Sequence, residues 1–249
     1  MAIVTSEAIL LRKYELRETS FLLDFYTRTN GKIRGVIKGV RSPQPQFGSS
    51  FEVCTLDKVV FYERRNKEIY TVSQCELIEY FSGIRKDLEK TSYALYFLEL
   101  VDATCPAGEV NEGIFDLLLD SLARLADELY PRAFARAFEI RLLKELGMEP
   151  RLSQCAGCGS RDVPDGARFS VRSGGVVCGR CESSHAGCIS VSDGAMGFVR
   201  DVLSECPGRD WPYGPDGCVN EVETLIKNFL NFHIQKRFKS VEFIEQIGI

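Results

Sequence analysis

Two C-x2-C knuckles, Cys155-Ala156-Gly157-Cys158 and Cys178-Gly179-Arg180-Cys181, stand nineteen residues apart and constrain this chain more than any other pattern in it. Each knuckle turns tightly enough to aim both sulfurs at one ion. Two of them close a tetrahedron of thiolates with zinc-ribbon spacing. Gly157, Gly159 and Gly179 suit the close approach of backbone to sulfur. FSVRSGGVVC (169–178) reads as a hairpin, turned at Gly174-Gly175, that returns to the second knuckle. Residues 150–190 are rich in Gly, Ser, Cys and Arg and carry no long apolar run. A segment so short and polar buries too little surface to fold unaided, so one structural zinc would supply its folding energy. Four free or redox-active thiols are the competing reading. His185 and Cys188 lie near enough to replace a ligand, but four thiolates already complete the shell.

A complete thiolate shell leaves no position for an activated water, which argues against metal-assisted catalysis. Neither Cys155 nor Cys178 follows a proline, and neither His185 nor His233 belongs to an H-x-E, so the zinc-deaminase pattern fails. The phosphate-cradling, dinucleotide, zinc-protease and nucleophile-elbow motifs are absent as well. Two histidines leave few candidates for acid–base work. His233 shares a helical face with Ile226 and Phe229 and reads as a core or boundary residue. The chain reads as a non-enzyme.

The remaining cysteines, Cys54, Cys75, Cys105, Cys206 and Cys218, are scattered and read as buried free thiols. The N-terminus lacks the pattern of a secretory signal, so a disulfide framework is not expected, and no apolar run reaches the length of about 18–20 residues that spans a bilayer. The expectation is a cytoplasmic protein with no membrane partner. At 249 residues, with 45% hydrophobic and 27% charged residues, the chain has material for one large or two modest domains.

Residues 1–80 read as five short strands rich in β-branched and aromatic residues, bounded by turns at Asn30-Gly31, the loop 42–50 and Arg65-Asn66-Lys67. Asn-Gly between apolar runs marks a hairpin, since both residues tolerate positive φ. Five such strands suit a small closed barrel better than a flat sheet with two open edges. An OB-type barrel leads, and an SH3-like barrel gives nearly the same pattern. From about Arg85 the period becomes helical. Leu88, Leu95 and Leu98 share a face, Asn111 is placed to cap a second helix striped by Ile114, Leu117, Leu118, Leu122, Leu125 and Leu129, and Pro131 opens a third that stops at Gly147. Helical pattern returns after residue 190 and ends in one long helix with a basic flank of Lys227, Lys236, Arg237 and Lys239. The fold class is therefore α+β and multidomain: barrel 1–80, helical domain 81–150 and 191–249, and the cysteine-rich insert 151–190 between its halves.

The net charge of −4 is unevenly divided. Residues 1–80 net +2 and the remainder nets −6. No acidic residue lies between Asp24 and Glu52, where Arg28, Lys32, Arg34, Lys38 and Arg41 fall. On an OB barrel, cations beside exposed rings form a groove that tracks phosphates while bases stack. Alternate residues of a strand share a face, so Lys32, Arg34 and Lys38 line one side if no bulge intervenes. The five cations are the candidate DNA contacts, in a stretch of sequence with nothing to neutralise them. A solvated hairpin is the bland alternative.

Four stretches, GKIRGVIKGVR (31–41), LLKELGMEPRLSQCAGCG (142–159), FSVRSGGVVCGRC (169–181) and FHIQKRFKSVEFI (232–244), together resemble the bacterial RecO family, in order and over nearly the whole chain. The resemblance implies an N-terminal OB fold, a helical domain and an inserted zinc module. It also implies a recombination mediator that binds single- and double-stranded DNA and anneals complementary strands. With RecR, such a mediator loads RecA on DNA coated by single-stranded-DNA-binding protein. Such a protein would work in the cytoplasm, at the nucleoid. The competing classes are a zinc-stabilised protein adaptor that does not touch DNA, and a metal-dependent nucleic-acid enzyme.

Overall fold

The computed structural model describes residues 2–16, 19–39, 51–63, 68–161, 168–184, 187–204, 216–234 and 236–248. Arg41, the loop 42–50 and His185 lie outside the described residues. The chain forms two compact units, Met1–Asp127 with Phe238–Gly248, and Glu128–Arg237.

In the first unit, strands β1 (Ala2–Leu16), β2 (Ser20–Thr27), β3 (Gly31–Lys38), β4 (Leu56–Glu63) and β5 (Ile69–Glu79) close a barrel in the order β1-β2-β3-β5-β4. All pairs are antiparallel except β3 with β5, which run parallel through Arg34–Val36 and Ile69–Thr71. That parallel closure is the OB order and decides against the SH3-like alternative. β1 pairs β4 along its first half and β2 along its second, and an irregularity between Leu10 and Arg12 lets it bend from one to the other. The interior is filled from alternate positions by Leu10, Leu23, Phe25, Ile33, Ile37 and Phe61.

The β2–β3 hairpin forms where Asn30-Gly31 predicts it, but through a three-residue loop. Thr27 pairs with Gly31, and residues 28–30 make the turn. Only Gly31 takes positive φ (+60°), the geometry of a longer hairpin loop ending in a left-handed residue. Gly31 is also a point of close approach, since a Cβ there would overlap the carbonyl oxygen of Glu109. Beside it, the Gly108 N–H donates to the Lys32 carbonyl at 2.9 Å, and Ala107 bridges Lys32 like a fragment of parallel strand.

α1 (Leu88–Thr104) starts at Asp87, whose carboxylate accepts the Lys90 N–H. It buries Tyr93, Tyr96, Phe97, Leu100 and Val101, while Leu88 and Leu95 are 60% and 40% exposed. Leu98 is the only buried member of the leucine face read from sequence for this helix. Its apolar residues run nearly all round, and the bulkier aromatics take the core. α2 (Glu112–Leu125) is capped by Asn111, whose Oδ1 accepts the Ile114 N–H at 3.0 Å, and buries Ile114, Leu118, Leu122 and Leu125. Leu129 lies beyond the helix and is 82% exposed. The predicted long terminal helix is two helices. α7 (Lys239–Ile247) packs on α1, with Phe238 edge-on to Tyr96 and Glu99 accepting from the Ser240 N–H and hydroxyl.

The second unit holds α3 (Pro131–Glu145), which packs against α5 (Asp193–Ser204) and α6 (Asp216–Ile234). Pro131 opens α3, and Gly147 follows it in the left-handed conformation. Between α3 and α5 lie β6 (Arg168–Ser170), β7 (Gly175–Val177), the short helix α4 (Gly179–Glu182) and β8 (Ile189–Ser190). Their sheet has the order β7-β6-β8, one strand more than the hairpin predicted. Helices from the two flanks of the insert thus meet within each unit. Among the described residues no helix is long and apolar enough to cross a membrane.

Candidate metal centre and nucleic-acid interface

The first knuckle is a loop held by its own backbone. Gly159 N–H donates to the Cys155 carbonyl and Cys155 N–H to the Ser160 carbonyl, both at 2.8 Å, and Ala156 N–H reaches Val176 of β7 at 2.7 Å. β7 delivers Cys178 directly, and the first turn of α4 carries Cys181. The sulfurs of Cys155, Cys158, Cys178 and Cys181 all lie within 4.8 Å of one another, with Cys158 and Cys178 3.8 Å apart. A tetrahedron with metal–sulfur bonds of about 2.3 Å has edges of about 3.8 Å, so the four match a metal's demands. None of them is in a disulfide.

The electrostatics of the cluster point the same way. Burial opposes ionisation of Cys155, but N–H groups of Cys178, Cys158 and Gly157 aim at its sulfur and bring its thiol below the ordinary range. The Cys181 N–H lowers Cys178 likewise. Cys181 moves the other way, raised by hydrogen bonding to Cys158 and Cys178. The site thus favours some thiolates and opposes the full set unless a cation balances their charge. The four residues could hold a metal ion. Cys188 packs against Cys155, Val177 and Cys178 but its sulfur does not join the four.

On the barrel, β3 turns Ile33, Gly35 and Ile37 inward and Lys32, Arg34, Val36 and Lys38 outward. No bulge interrupts its pairing with β2. Arg28 is elsewhere, in the hairpin loop, where it bonds Glu7 at 2.8 Å and Asp116 at 2.7 Å and lies over the Phe115 ring. The stretch without acids in sequence is not free of acids in space. Asp24 stands opposite Arg34 and grips it with both oxygens at 2.6 and 2.8 Å, and Lys32 donates to the Asp102 carbonyl at 2.5 Å with the carboxylate at 3.4 Å. Lys38 is exposed and makes no ion pair among the described residues. These pairs edge a cleft of about 540 Å³ whose lining includes Glu68 and Tyr70.

Comparison with known proteins assigns the lineage. The family model described as recombination protein O C terminal matches residues 85–242, and the one described as recombination protein O N terminal matches residues 1–81. This chain belongs to the RecO family. Proteins called DNA repair protein RecO from Moorella thermoacetica and Pelotomaculum thermopropionicum are each 33% identical to it, over 98% and 100% of the chain and 91% and 96% of their own lengths. The one from Symbiobacterium thermophilum is 30% identical over 99% of the chain and 98% of its own length. A role in DNA repair and recombination follows from this membership. In this RecO-family chain the sequence reading missed Arg12, which stands opposite Asp24 on β1 and bonds Asp102 at 2.8 Å. Its signal was the alternation of β1, which puts Arg12 and Tyr14 on one side. His233, expected at the core or its boundary, is exposed against Phe229 and Phe232.

Proposed function

We propose that this protein is a non-enzymatic mediator of recombinational repair. It binds single- and double-stranded DNA through the outer face of β3 and anneals complementary strands. With RecR it promotes loading of RecA on DNA coated by single-stranded-DNA-binding protein. The observation that carries the reading is a row of cations, Lys32, Arg34 and Lys38, in unbroken register on the outer face of an OB barrel in a RecO-family chain. Phosphate contacts from such a row are blind to sequence, as a mediator acting at any lesion requires. Arg28, Lys32 and Arg34 are already matched by carboxylates, so Lys38 offers phosphates the least encumbered charge on β3, and Arg41 continues the basic run in sequence. One zinc held by Cys155, Cys158, Cys178 and Cys181 supplies fold stability to the insert and no reaction step. The protein acts in the cytoplasm, at the nucleoid.

Annealing of complementary oligonucleotides tests this, with and without single-stranded-DNA-binding protein and without nucleoside triphosphate. A strict triphosphate requirement for annealing by the protein alone overturns it. The ion pairing of Arg28, Lys32 and Arg34 favours a second reading, a protein adaptor with no direct DNA contact. A salt-dependent mobility shift of a labelled oligonucleotide separates the two, because the adaptor gives none.

A further inference from the structure

On the outer face of the barrel, three strands line up side chains in rows. The first row runs Arg12, Asp24, Arg34 across β1, β2 and β3. Two residues further along each strand, the next row is Tyr14, Leu22, Val36. Lys38 follows Val36 on the same face of β3. The rows point away from the core, since Phe21, Leu23, Phe25, Ile33 and Ile37 fill the interior from the alternate positions. Tyr14 is 40% exposed, and Leu22 and Val36 are half-buried beside it. The Tyr14 hydroxyl lies 3.5 Å from an Arg12 Nη, which places its ring at the edge of the cationic row.

This is an apolar strip with one exposed ring, bordered by Arg12 and Arg34 on one side and Lys38 on the other. We infer that it is a base-stacking platform for single-stranded nucleic acid. An unpaired base lies on Tyr14, and its flanking phosphates meet Arg34 and Lys38. The charge decides the occupant. Asp102 and Asp24 already hold Arg12 and Arg34, but a hydrophobic segment of a protein leaves Lys38 without a partner, whereas a strand of unpaired nucleotides offers a flat apolar face and regularly spaced anions. The ring engages only unpaired bases, because in a duplex both faces of every internal base are already stacked. Tyr14 therefore sets strand preference, while Lys38 serves single strands and duplex alike.

The inference rests on the DNA-binding reading above, and the test separates the two. Binding is measured by fluorescence anisotropy with an oligo-dT of about 16 nucleotides, the upper site size of one OB fold, and with a blunt duplex of equal length. Tyr14→Ala should weaken binding to oligo-dT roughly fivefold or more while duplex binding changes by less than about twofold. The slope of log K against log salt should stay at the wild-type value, since every phosphate keeps its cation. Tyr14→Phe and Tyr14→Trp keep a ring and should restore single-strand binding, which separates lost stacking from a damaged fold. If Lys38→Ala weakens both ligands and Tyr14→Ala weakens neither, or both equally, the platform is refuted and DNA binding by β3 stands. If wild-type protein binds neither ligand at low salt, both readings fall.

Discussion

Replacing Cys178 by Ser removes one of four converging sulfurs from the insert. The apolar core around the sulfurs is Val177 packed with Cys155 and Cys178, edged by Ala156, Cys181 and Cys188. Further anchors are Phe169, whose ring meets Phe229 of α6 edge-on at 5.8 Å, and the buried Val176 and Leu152. Full burial of such a side chain contributes about 1.5–3 kcal/mol, so Val177 and these three supply on the order of 6–12 kcal/mol between them. A structural zinc contributes about 10–16 kcal/mol of apparent binding energy in small metal-folded modules. The metal thus contributes at least as much as local packing, and an alcohol at position 178 does not replace a thiolate on it. Cys178→Ser should lose stoichiometric zinc by metal analysis. In hydrogen exchange, residues 168–184 should lose amide protection and become sites of proteolytic nicking, while strands β1–β5 keep theirs. Full zinc occupancy in a Cys155→Ser/Cys178→Ser double variant, or unchanged protection over 168–184 after chelation, would refute this reasoning.

Gly31→Ala should destabilise the first unit, since it combines left-handed backbone with a Cβ that overlaps the Glu109 carbonyl oxygen. Backbone strain alone costs about 1–3 kcal/mol, and each kcal/mol lowers the melting midpoint by about 2–4 °C. Gly39→Ala, at φ +76° with open space around it, should show strain without the clash, so equal losses in the two variants would refute the close approach. Lys38→Ala/Arg41→Ala should weaken binding to unrelated DNA sequences alike and flatten the single-strand salt slope by about 0.7 for each phosphate no longer neutralised. Wild-type affinity and slope there, with both reduced in Lys236→Ala/Arg237→Ala, would move the DNA to the segment after α6. For Glu99, burial raises the carboxyl pKa, but bonds from the N–H and hydroxyl of Ser240 and the N–H of Lys239 outweigh it, and the net shift is downward. A depressed pKa contributes stability fully present above the usual value near 4.5 and lost as pH falls through the folded value. Hydrogen exchange should therefore show α7 loosening on acidification ahead of the barrel, and Glu99→Gln should abolish that pH dependence.

The strands, the hairpin and both knuckles were legible because each rests on local chemistry: alternation, an Asn-Gly turn, and paired cysteines. The neutralised cations were not, although the information was within reach. A two-residue turn at Asn30-Gly31 would set Asp24 opposite Ile37, whereas the three-residue loop sets it opposite Arg34. Turn length fixes register, and register fixes which charges meet. Asp102 could not be found this way, because a helix carries it to Lys32 and Arg12 from seventy or more residues along the chain. The α1 core was partly misread for a related reason. Leucine spacing names a face, but when aromatics surround the helix, packing partners elsewhere in the chain choose which side is buried. The division of the terminal helix left no periodic trace either, since the pattern continues through the break between α6 and α7.

The fragment of chain around Ala107 and Gly108 makes the barrel inseparable from the helix and linker C-terminal to it. β5 covers only Arg34–Val36 of β3, and the linker after α1 hydrogen-bonds to Lys32 on the same edge. A polypeptide cut after residue 81, where the match to the N-terminal family model ends, would keep all five strands and lose that cover. Its exposed hydrogen-bonding groups at Gly31–Lys32 are a template for pairing with another copy. The smallest piece that retains the cover extends through residue 109 and, to seat α1, needs α7 from the far end of the sequence. The barrel of this chain is thus defined by what shields its edge rather than by what contributes its strands. Shuffling the barrel alone onto another protein would transplant an adhesive.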